Sequence, residues 1–354
     1  MIMKKILIIN KTPLGMLTDS YKWCEYLQDK YDVTFLSFES NFSLKTINKV
    51  KVKYVPYSKS YFWRGINFIL VSLYNIAFFK GRILVIYFPH CGILKKLFPR
   101  KKMILDIRTL AVWGTQEEKD IHDNKVRKTA NLFDLVTVVS DGVKHRLNIK
   151  HSKVQILPLG SDIISFAKKN YSEIKLLYVG TFVDRNLELT ILGLKAFISK
   201  HPNEKISYEI IGDGGPGELN TLRNLVSDLQ MDSVVHFHGR VPHFMLSKYF
   251  DDANIGVSFV PINPAYDIQP VTKTFEYGNS GLFVIGTATK ENKKVISEKC
   301  GILIDDSAEG FENALEVILK QKDYFNEKNI RNSLKMFTWE NIVNNKLVKI
   351  LQLD

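Results

Sequence analysis

The 354-residue sequence predicts an α/β fold made of two doubly wound parallel sheets, one in each half of the chain. Short apolar runs bounded by turn residues recur along the chain, and stretches with helical periodicity lie between them. Strands that alternate with helices are typical of parallel sheets, and this pattern occurs twice. The two series are separated near Pro158–Lys169, where Leu-Pro-Leu-Gly-Ser-Asp leads into a polar stretch. We therefore expect two domains that bind ligands at the carboxyl ends of their strands, in a cleft between them.

The predicted elements are ten strands and six helices. The strands are Ile6–Ile9, Val33–Ser37, Ile83–Phe88, Met103–Leu105 and Leu135–Val139 in the first half, and Lys175–Val179, Tyr208–Ile211, Val234–Phe237, Ile255–Phe259 and Phe283–Ile285 in the second. The helices are Asp19–Lys30, Lys119–Phe133, Asn186–Lys200, Glu218–Leu229, Met245–Asp251 and Gly310–Lys320.

Composition excludes several classes of protein. The chain is 45% apolar and 24% charged, which is typical of a globular protein. Three widely spaced cysteines (Cys24, Cys91 and Cys300) argue against a disulfide framework and a zinc site, and favour a reducing compartment. The apolar run that ends at Asn10 is too short for a signal peptide and is predicted to be a strand.

The formal charge of +12 is concentrated in the first half. Residues 1–160 hold 27 basic and 12 acidic residues, a balance of +15, whereas residues 161–354 hold 22 and 25, a balance of −3. Such asymmetry indicates contact with a polyanion, either nucleic acid or an anionic membrane surface. A lysine-rich proteome is the alternative explanation.

The segment Tyr61–Phe79 is apolar and aromatic, but it is too short, and too interrupted by polar residues, to span a membrane. It fits an interfacial helix with Tyr61 and Trp63 at the level of the lipid headgroups. It fits equally a core helix packed on the sheet. A basic cluster follows within Lys95–Lys102, either beside the membrane or as a solvated loop.

Residues 270–286 place Lys273 and Glu276 three positions apart at the start of a predicted helix, on one face. Gly281 is predicted to end this helix, and Leu282–Ile285 to form a short buried strand. A helix start and a lysine favour a diphosphate, and a carboxylate can accept hydrogen bonds from ribose hydroxyls. An exposed ion pair is the alternative.

Four other places could carry chemistry. Gly15 lies on the loop after the first strand, where backbone N–H groups can approach a phosphate, although a simple turn explains it as well. Asp106 and Arg108 follow a strand and could orient a sugar or neutralise a phosphate, or could form a structural ion pair. Gly180 and Thr181, followed by Arg185 before a helix, form another phosphate-type arrangement. The glycine-ended strands within 210–217 and 236–241 leave room for a planar base, unless they are ordinary turns.

Other chemistries lack their motifs. The sequence has no Gly-x-Gly-x-x-Gly after its first strand and no His-x-x-x-His pair, and no Gly-x-Ser-x-Gly nucleophile motif. We therefore expect neither a dehydrogenase, nor a metal site, nor an acyl-transfer enzyme.

In order, these motifs resemble the retaining glycosyltransferases of family 4, which have the GT-B architecture: two Rossmann-like domains face each other across a cleft, and a C-terminal helix crosses back to the first domain. The resemblance is good over residues 130–345 and holds only in outline before them. It implies an acceptor-binding domain at 1–160, a nucleotide-sugar-binding domain at 161–336 and the returning helix at 337–354. The motifs are Val-Thr-Val-Val-Ser (136–140), Ile-Leu-Pro-Leu-Gly-Ser-Asp (156–162), Tyr-Val-Gly-Thr-Phe (178–182), Ile-Ile-Gly-Asp-Gly (210–214), Phe-His-Gly-Arg-Val (237–241), Pro-Val-Thr-Lys-Thr-Phe-Glu-Tyr (270–277) and Phe-Thr-Trp-Glu-Asn-Ile (337–342).

The resemblance also implies roles. Lys273 and Arg185 would bind the donor diphosphate and offset charge on the leaving group, Glu276 would bind the ribose, and Asp106 and Arg108 would join the catalytic residues. The remaining donor-binding residues would be Gly15 on the closing loop, Gly180 and Thr181 behind the phosphates, Gly239, Arg240 and Val241 at the base, and Gly212 and Thr272.

One departure from the family concerns the sugar. Many members carry Glu-x7-Glu, but the position eight residues before Glu276 is Ile268, preceded by Asp267. The first acid is therefore missing or displaced. Many members also have a histidine after the strand at 103–105, whereas this chain matches a subset with an acid and an arginine.

The resemblance implies an enzyme that transfers a sugar from a nucleotide diphosphate sugar to a glycan hydroxyl, with retention and without a metal or other cofactor. The basic first half favours a polyprenyl-diphosphate-linked or polysaccharide acceptor, at the inner face of the plasma membrane, for surface glycan assembly. A nucleotide-sugar epimerase with the same fold is the alternative. A non-catalytic nucleic-acid binder is a remote one, because the donor-type residues lie in the near-neutral half.

Overall fold

The computed structural model describes residues 3–39, 46–56, 59–112, 114–150 and 153–353, without the side chains of Tyr61 and Pro216. Within these ranges the chain forms two parallel sheets. The first sheet contains β1 Lys4–Ile9, β2 Tyr31–Phe38, β3 Val50–Val55, β4 Arg82–Ile86, β5 Met103–Ile107, β6 Leu135–Val138 and β7 Val154–Ile156. The second contains β8 Ile174–Val179, β9 Ile206–Ile211, β10 Val235–Gly239, β11 Ile255–Ser258, β12 Phe283–Thr287 and β13 Gly301–Ile304.

Helices connect most of the successive strands. They are α1 Thr18–Leu27, α2 Tyr61–Phe78, α3 Gly92–Leu97, α4 Gln116–Ala130, α5 Asp141–Leu147, α6 Glu188–Lys200, α7 Pro216–Asp228, α8 Ser247–Asp252, α9 Thr272–Asn279, α10 Asn292–Val295, α11 Ala308–Gln321, α12 Glu327–Leu334, α13 Trp339–Ile342 and α14 Val348–Gln352. All ten predicted strands and all six predicted helices are present, with bounds within three residues of those expected. The strands β3, β7 and β13 were not predicted.

Each sheet reverses its strand order once. The order is β3-β2-β1-β4-β5-β6-β7 in the first sheet and β10-β9-β8-β11-β12-β13 in the second, with every pair parallel. The reversals lie between β1 and β4 and between β8 and β11. At each reversal the connections that follow the two neighbouring strands run to opposite sides of the sheet. This leaves a crevice at the carboxyl ends of those two strands. The doubly wound α/β fold predicted from the sequence is confirmed.

By its contacts the chain divides into two compact units. The first unit comprises Met1–Leu159 and Trp339–Asp354, and the second comprises Gly160–Thr338. In the first, the residues after Trp339 pack on α1, where Trp23, Leu27 and Trp339 share one apolar core. The acceptor-binding and nucleotide-sugar-binding roles predicted for the two halves stay predictions.

The second unit has its own core, and its two ends meet. Leu177, Phe250, Tyr277 and Val284 are buried together between the sheet and its helices. The amide of Ser161 donates to the carbonyl of Phe337 at 2.9 Å, so the first and last residues of this unit lie side by side.

Helix α2 belongs to the first unit and has two different faces. Phe68 is fully buried, with its ring 4.7 Å from that of Phe38 and 5.3 Å from that of Phe88. Trp63 and Tyr74 are instead exposed. The core-helix interpretation is thus right for the inner face alone. The side chain of Tyr61, predicted to lie at a membrane interface, is outside the described residues. None of the helices that the described residues form is long and apolar enough to cross a membrane.

Replacing Trp339 tests the packing of the C-terminal segment. The side chain is 1% exposed, so Trp339→Ala leaves a large cavity beside α1. We expect it to lower the free energy of unfolding of the first unit by about 3–5 kcal/mol, measured by urea denaturation followed by circular dichroism. The control is Leu353→Ala, since Leu353 is 42% exposed. A loss no larger than that of the control would show that the segment contributes little to stability.

Candidate functional site

A row of three glycines lies at the carboxyl ends of neighbouring strands in the second unit. Gly180 follows β8, Gly212 follows β9 and Gly239 ends β10. The amide of Gly180 donates to the carbonyl of Ile211, and the amide of Gly212 to that of Gly239, each at 2.9 Å. A Cβ at Gly212 would lie 1.7 Å from the carbonyl oxygen of Gly180. Only glycine fits there, so the row presents bare backbone to a ligand.

A pocket of about 530 Å³ opens beside this row. Gly214 and Gly215, which precede α7, also line it, so the N-terminal end of a 13-residue helix borders the pocket. Backbone N–H groups at such an end favour anions. The pocket brings together five of the residues predicted from the sequence to bind the donor: Gly180, Thr181, Gly212, Arg240 and Val241.

Lys273 lies in the first turn of α9, against the glycine row. Its side chain is 8% exposed, and Nζ lies 3.7 Å from the centroid of the Tyr178 ring. A Cβ at Gly180 would be 3.1 Å from this nitrogen. Within the described part of the chain, Nζ has no hydrogen-bond partner. The interpretation of Lys273 and Glu276 as an exposed ion pair is therefore wrong.

Burial makes the charge on Lys273 costly. Loss of hydration lowers the pKa of its ammonium well below the usual value, and the nearby Arg185 lowers it further, while Glu276 opposes the shift. A buried cation without a partner destabilises a protein unless a ligand supplies the missing charge. The position of Lys273 therefore favours an anionic ligand.

Arg185 offers a second cation of the same kind. It lies in the turn between β8 and α6, where its backbone amide donates to the carbonyl of Phe182 at 3.2 Å. Its guanidinium carbon lies 4.4 Å from the centroid of the Tyr266 ring, which orients the planar group by stacking. Nη1 is buried and has no hydrogen-bond partner among the described residues. Arg185 and Lys273, which are close enough to repel each other, thus each bury a nitrogen with unused donors.

Glu276 follows Lys273 by one turn of α9, as the spacing predicted. Burial raises the pKa of its carboxyl to about 7, and repulsion by Asp162 adds to this, whereas Lys273 lowers it. The side chain is only partly buried. Thr272 is the first residue of the same helix.

Hydrogen bonds hold α9 in place. The hydroxyl of Thr274 bonds that of Ser258 at 2.6 Å and donates to the side-chain oxygen of Asn292 at 3.0 Å. The hydroxyl of Tyr277 accepts the amide of Val179 at 2.7 Å, which ties the helix to the residue before Gly180.

The prediction that Gly281 ends α9 is confirmed. Gly281 has φ +84°, and its amide donates to the carbonyl of Gly278. The amide of Leu282 donates to the carbonyl of Tyr277, which completes a Schellman motif. The buried strand β12 follows directly, as expected.

Sequence reasoning missed three tyrosines of this site. Tyr178 lies under Lys273, Tyr266 lies against Arg185, and Tyr277 ties α9 to β8. Tyr178 and Tyr277 stand inside the motifs that resemble family 4, but the sequence assigned neither of them a role. Tyr266 lies on a loop and gave no signal.

The acid expected near the transferred sugar is absent here as well. Asp267 accepts the backbone amide of Lys290 at 2.7 Å and pairs with its ammonium at 2.9 Å. Asp267, on the loop between β11 and α9, is therefore engaged by the loop after β12 and does not replace the missing glutamate.

The other predicted residues belong to the first unit. Gly15 has φ +95° on the loop after β1, so the turn there requires glycine. Asp106 lies inside β5 and is completely buried, so the expectation that it follows the strand is wrong. It accepts the hydroxyl of Thr137 at 2.5 Å. Arg108 donates to Asp19 at 2.6 Å and to the carbonyl of Leu157 at 2.8 Å. Their catalytic role stays a prediction, and these internal contacts favour the structural alternative.

Solved structures of the same architecture cover almost the whole chain. A sucrose-phosphate synthase from Thermosynechococcus elongatus is 19% identical with a TM-score of 0.75, over 99% of this chain and 98% of that one. HepE from Anabaena, solved with UDP and glucose, is 11% identical with a TM-score of 0.73, over 99% and 100%. WaaG, a glycosyltransferase involved in lipopolysaccharide biosynthesis, is 15% identical with a TM-score of 0.69, over 99% and 100%.

No protein-family model and no curated protein matches the sequence. The likeness is thus one of structure. It shows that the chain has the GT-B fold, as the order of its motifs implied.

The buried carboxyl of Asp106 predicts a pH-dependent stability. Burial raises its pKa from 3.8 to about 6, although Arg108 and Thr137 act in the opposite direction. Because folding raises this pKa, stability is lost as the pH rises from about 4 through 6. Asp106→Asn keeps an acceptor for Thr137 without the charge. As the pH rises from 4 to 8, the free energy of unfolding of Asp106→Asn should increase, relative to that of the wild type at the same pH, by up to about 3 kcal/mol.

Tryptophan fluorescence reports this change, because Trp23, Trp63, Trp113 and Trp339 all belong to the first unit. Urea denaturation of both proteins at several pH values gives the two curves. A difference between them that stays constant with pH would contradict the buried position of Asp106.

Proposed function

We propose that this chain is a glycosyltransferase and that its second unit binds the diphosphate of a nucleotide sugar. One observation carries the proposal: Lys273 and Arg185 each bury a nitrogen with no partner in the described structure, beside a row of bare backbone at Gly180. A diphosphate supplies the negative charge that these groups lack. Gly180 follows β8 and Lys273 follows β11, the strands on either side of the order reversal, where ligands of such sheets bind.

The structural neighbours support the choice of donor. HepE has been solved with UDP, with UDP and glucose, and with UDP-glucose. A uridine nucleotide is therefore the first donor to test. Arg240 and Val241 line the pocket beside the glycines and are proposed to contact the base. Glu276, as a carboxylate, is proposed to accept the ribose hydroxyls.

In the proposed reaction the bond between the anomeric carbon and the diphosphate oxygen breaks as an acceptor hydroxyl attacks the same face of the sugar. Lys273 and Arg185 stabilise the charge that develops on the leaving diphosphate. The leaving phosphate oxygen takes the acceptor proton, so no protein base is needed. Because two cations already offset the diphosphate, we propose that the transfer needs no metal. Retention of configuration and a hexose as the transferred sugar are proposed from the resemblance of the motifs to family 4.

The acceptor is proposed to be a glycan hydroxyl on a polyprenyl-diphosphate-linked or polysaccharide chain, at the cytoplasmic face of the membrane. The +15 balance of residues 1–160 supports an acceptor that carries phosphate. Surface glycan assembly is the process that fits this combination.

Replacing Lys273 by methionine separates binding from stability. Methionine fills the same volume without a buried charge, so we expect the free energy of unfolding of the second unit to rise by about 1–3 kcal/mol. UDP should raise the melting temperature of the wild type but not of Lys273→Met. The variant should also release no nucleotide from UDP-glucose or the other nucleotide sugars that the wild type uses.

The matched control is Lys248→Met. Lys248 also lies over a tyrosine ring, that of Tyr249 at 4.7 Å, but it is exposed. This variant should keep both the melting shift and nucleotide release. If Lys273→Met still responded to UDP, Lys273 would not bind the diphosphate.

The lowered pKa of Lys273 predicts that UDP binding is linked to proton uptake. Because burial lowers its pKa, Lys273 of the free protein loses its proton more easily than an exposed lysine, and a bound diphosphate raises that pKa again. Affinity should therefore fall as the pH rises. At about pH 8.5 the terminal phosphate of UDP is already ionised, so uptake by the protein is not masked.

Calorimetry in two buffers of different ionisation enthalpy measures this uptake. Lys273→Arg is the control, because arginine stays protonated and should bind UDP with no net uptake. Equal proton uptake by the two proteins would assign the linkage to another group.

A further inference from the structure

The outer face of α2 exposes a row of large apolar side chains. Trp63 is 62% exposed, Leu70 57%, Tyr74 67% and Phe78 75%. At 3.6 residues per turn these four positions fall within about 80° of arc around the helix. Phe62, at 68% exposed, packs its ring 5.7 Å from that of Trp63 and widens the row at one end.

The opposite face of the helix is buried against the rest of the first unit. Phe68, Ser72 and Ile76 are completely buried on it. The inner face therefore fixes the helix on the first unit. The exposed outer row is not explained by a loosely packed helix. Five large apolar side chains exposed along one helix are far more than scattered surface residues provide.

The surroundings of this row are positively charged. Residues 40–105, which include β3, α2, β4 and α3, hold thirteen lysines and arginines and no aspartate or glutamate. Lys53 donates to the side chain of Asn75 in α2 at 2.7 Å. Lys101 donates to the carbonyl of Phe79 at 2.7 Å and approaches that of Ala77. Two ammonium groups thus stand directly beside the helix.

A basic hollow of about 910 Å³ lies at the end of α2. Phe79 and Lys101 line it, and so do Lys4, Lys5, Lys80, Arg82, Arg100 and Lys102. The apolar row therefore leads from Phe78 into a site that suits anionic headgroups.

We propose that the outer face of α2 docks on the surface of an anionic lipid bilayer, with Trp63, Leu70, Tyr74 and Phe78 in the interface. Indole and phenol rings favour the headgroup level, where one part of each ring is apolar and the other is hydrated. The neighbouring lysines and arginines add attraction to anionic lipids. The helix lies in the plane of the interface, since it is not apolar enough to span a bilayer.

Charge argues against the other occupants of this face. A second copy of the chain would bring together two segments that each hold thirteen basic and no acidic residues, although Lys49, Lys51 and Lys95 pair with carboxylates elsewhere in the chain. Nucleic acid would meet the cations but would leave the apolar row in water. An anionic bilayer satisfies both the charge and the apolar surface. This docking surface lies wholly in the first unit and does not depend on the proposed donor site.

Vesicle sedimentation of the full chain tests the proposal. We expect the protein to sediment with vesicles of phosphatidylcholine and phosphatidylglycerol, and at least about tenfold less with phosphatidylcholine alone. Leu70→Ser combined with Tyr74→Ser should lower the partition coefficient on anionic vesicles by about tenfold or more. The matched control is Phe244→Ser with Tyr324→Ser, because these side chains are 75% and 85% exposed in the second unit. This control should bind vesicles like the wild type.

Trp63 provides a second readout, because its emission should shift to shorter wavelength on anionic vesicles. Trp63→Phe should keep vesicle binding and lose this shift. No sedimentation of the wild type, equal binding by the α2 variant, or a dimer in solution that the α2 variant loses would each overturn the proposal. The melting shift with UDP should be the same in the α2 variant, so failure of membrane docking is distinguishable from failure of the donor site.

Discussion

The ammonium group of Lys273 is buried without a hydrogen-bond partner among the described residues, and the donor site proposed for the second unit depends on that group. Its helix is tied to neighbouring segments by Thr274 and Tyr277, and its nitrogen lies over the ring of Tyr178. The ring offers the cation partial compensation but no hydrogen bond. The fold therefore keeps this nitrogen buried with its hydrogen-bond donors unused in the described structure.

This constraint explains the glycines around it. A side chain at Gly180 would crowd the ammonium, and one at Gly212 would strike the backbone of Gly180. The approach of the proposed ligand thus depends on glycine at these two positions as much as on the two cations. The proposed anion site is preorganised, since Lys273 Nζ and Arg185 Nη1 have no competing hydrogen-bond partner among the described residues.

Much of the fold and the centre of the site could be predicted from the sequence, because both depend on local patterns. Central strands of a parallel sheet are buried on both faces and read as continuous apolar runs. Three of the four edge strands were missed: β7 and β13 are only three and four residues long, and β3 alternates lysine with apolar residues. Lys273 and Glu276 were found because their spacing relates them within one short segment, and the glycines were found because each follows or ends an apolar run. The stacking of Tyr266 on Arg185 and the burial of Asp106 arise between distant segments, and no spacing rule reports them.

The meeting of Ser161 with Phe337 at 2.9 Å has a consequence for the evolution of the chain. The second unit is one uninterrupted stretch whose ends adjoin, inserted between the two parts of the first. A stretch of this kind can be exchanged for another of different length without adding loop-closure entropy to its host. Recombination at its two adjoining ends can therefore replace the second unit as a whole without unpairing a strand of the first sheet.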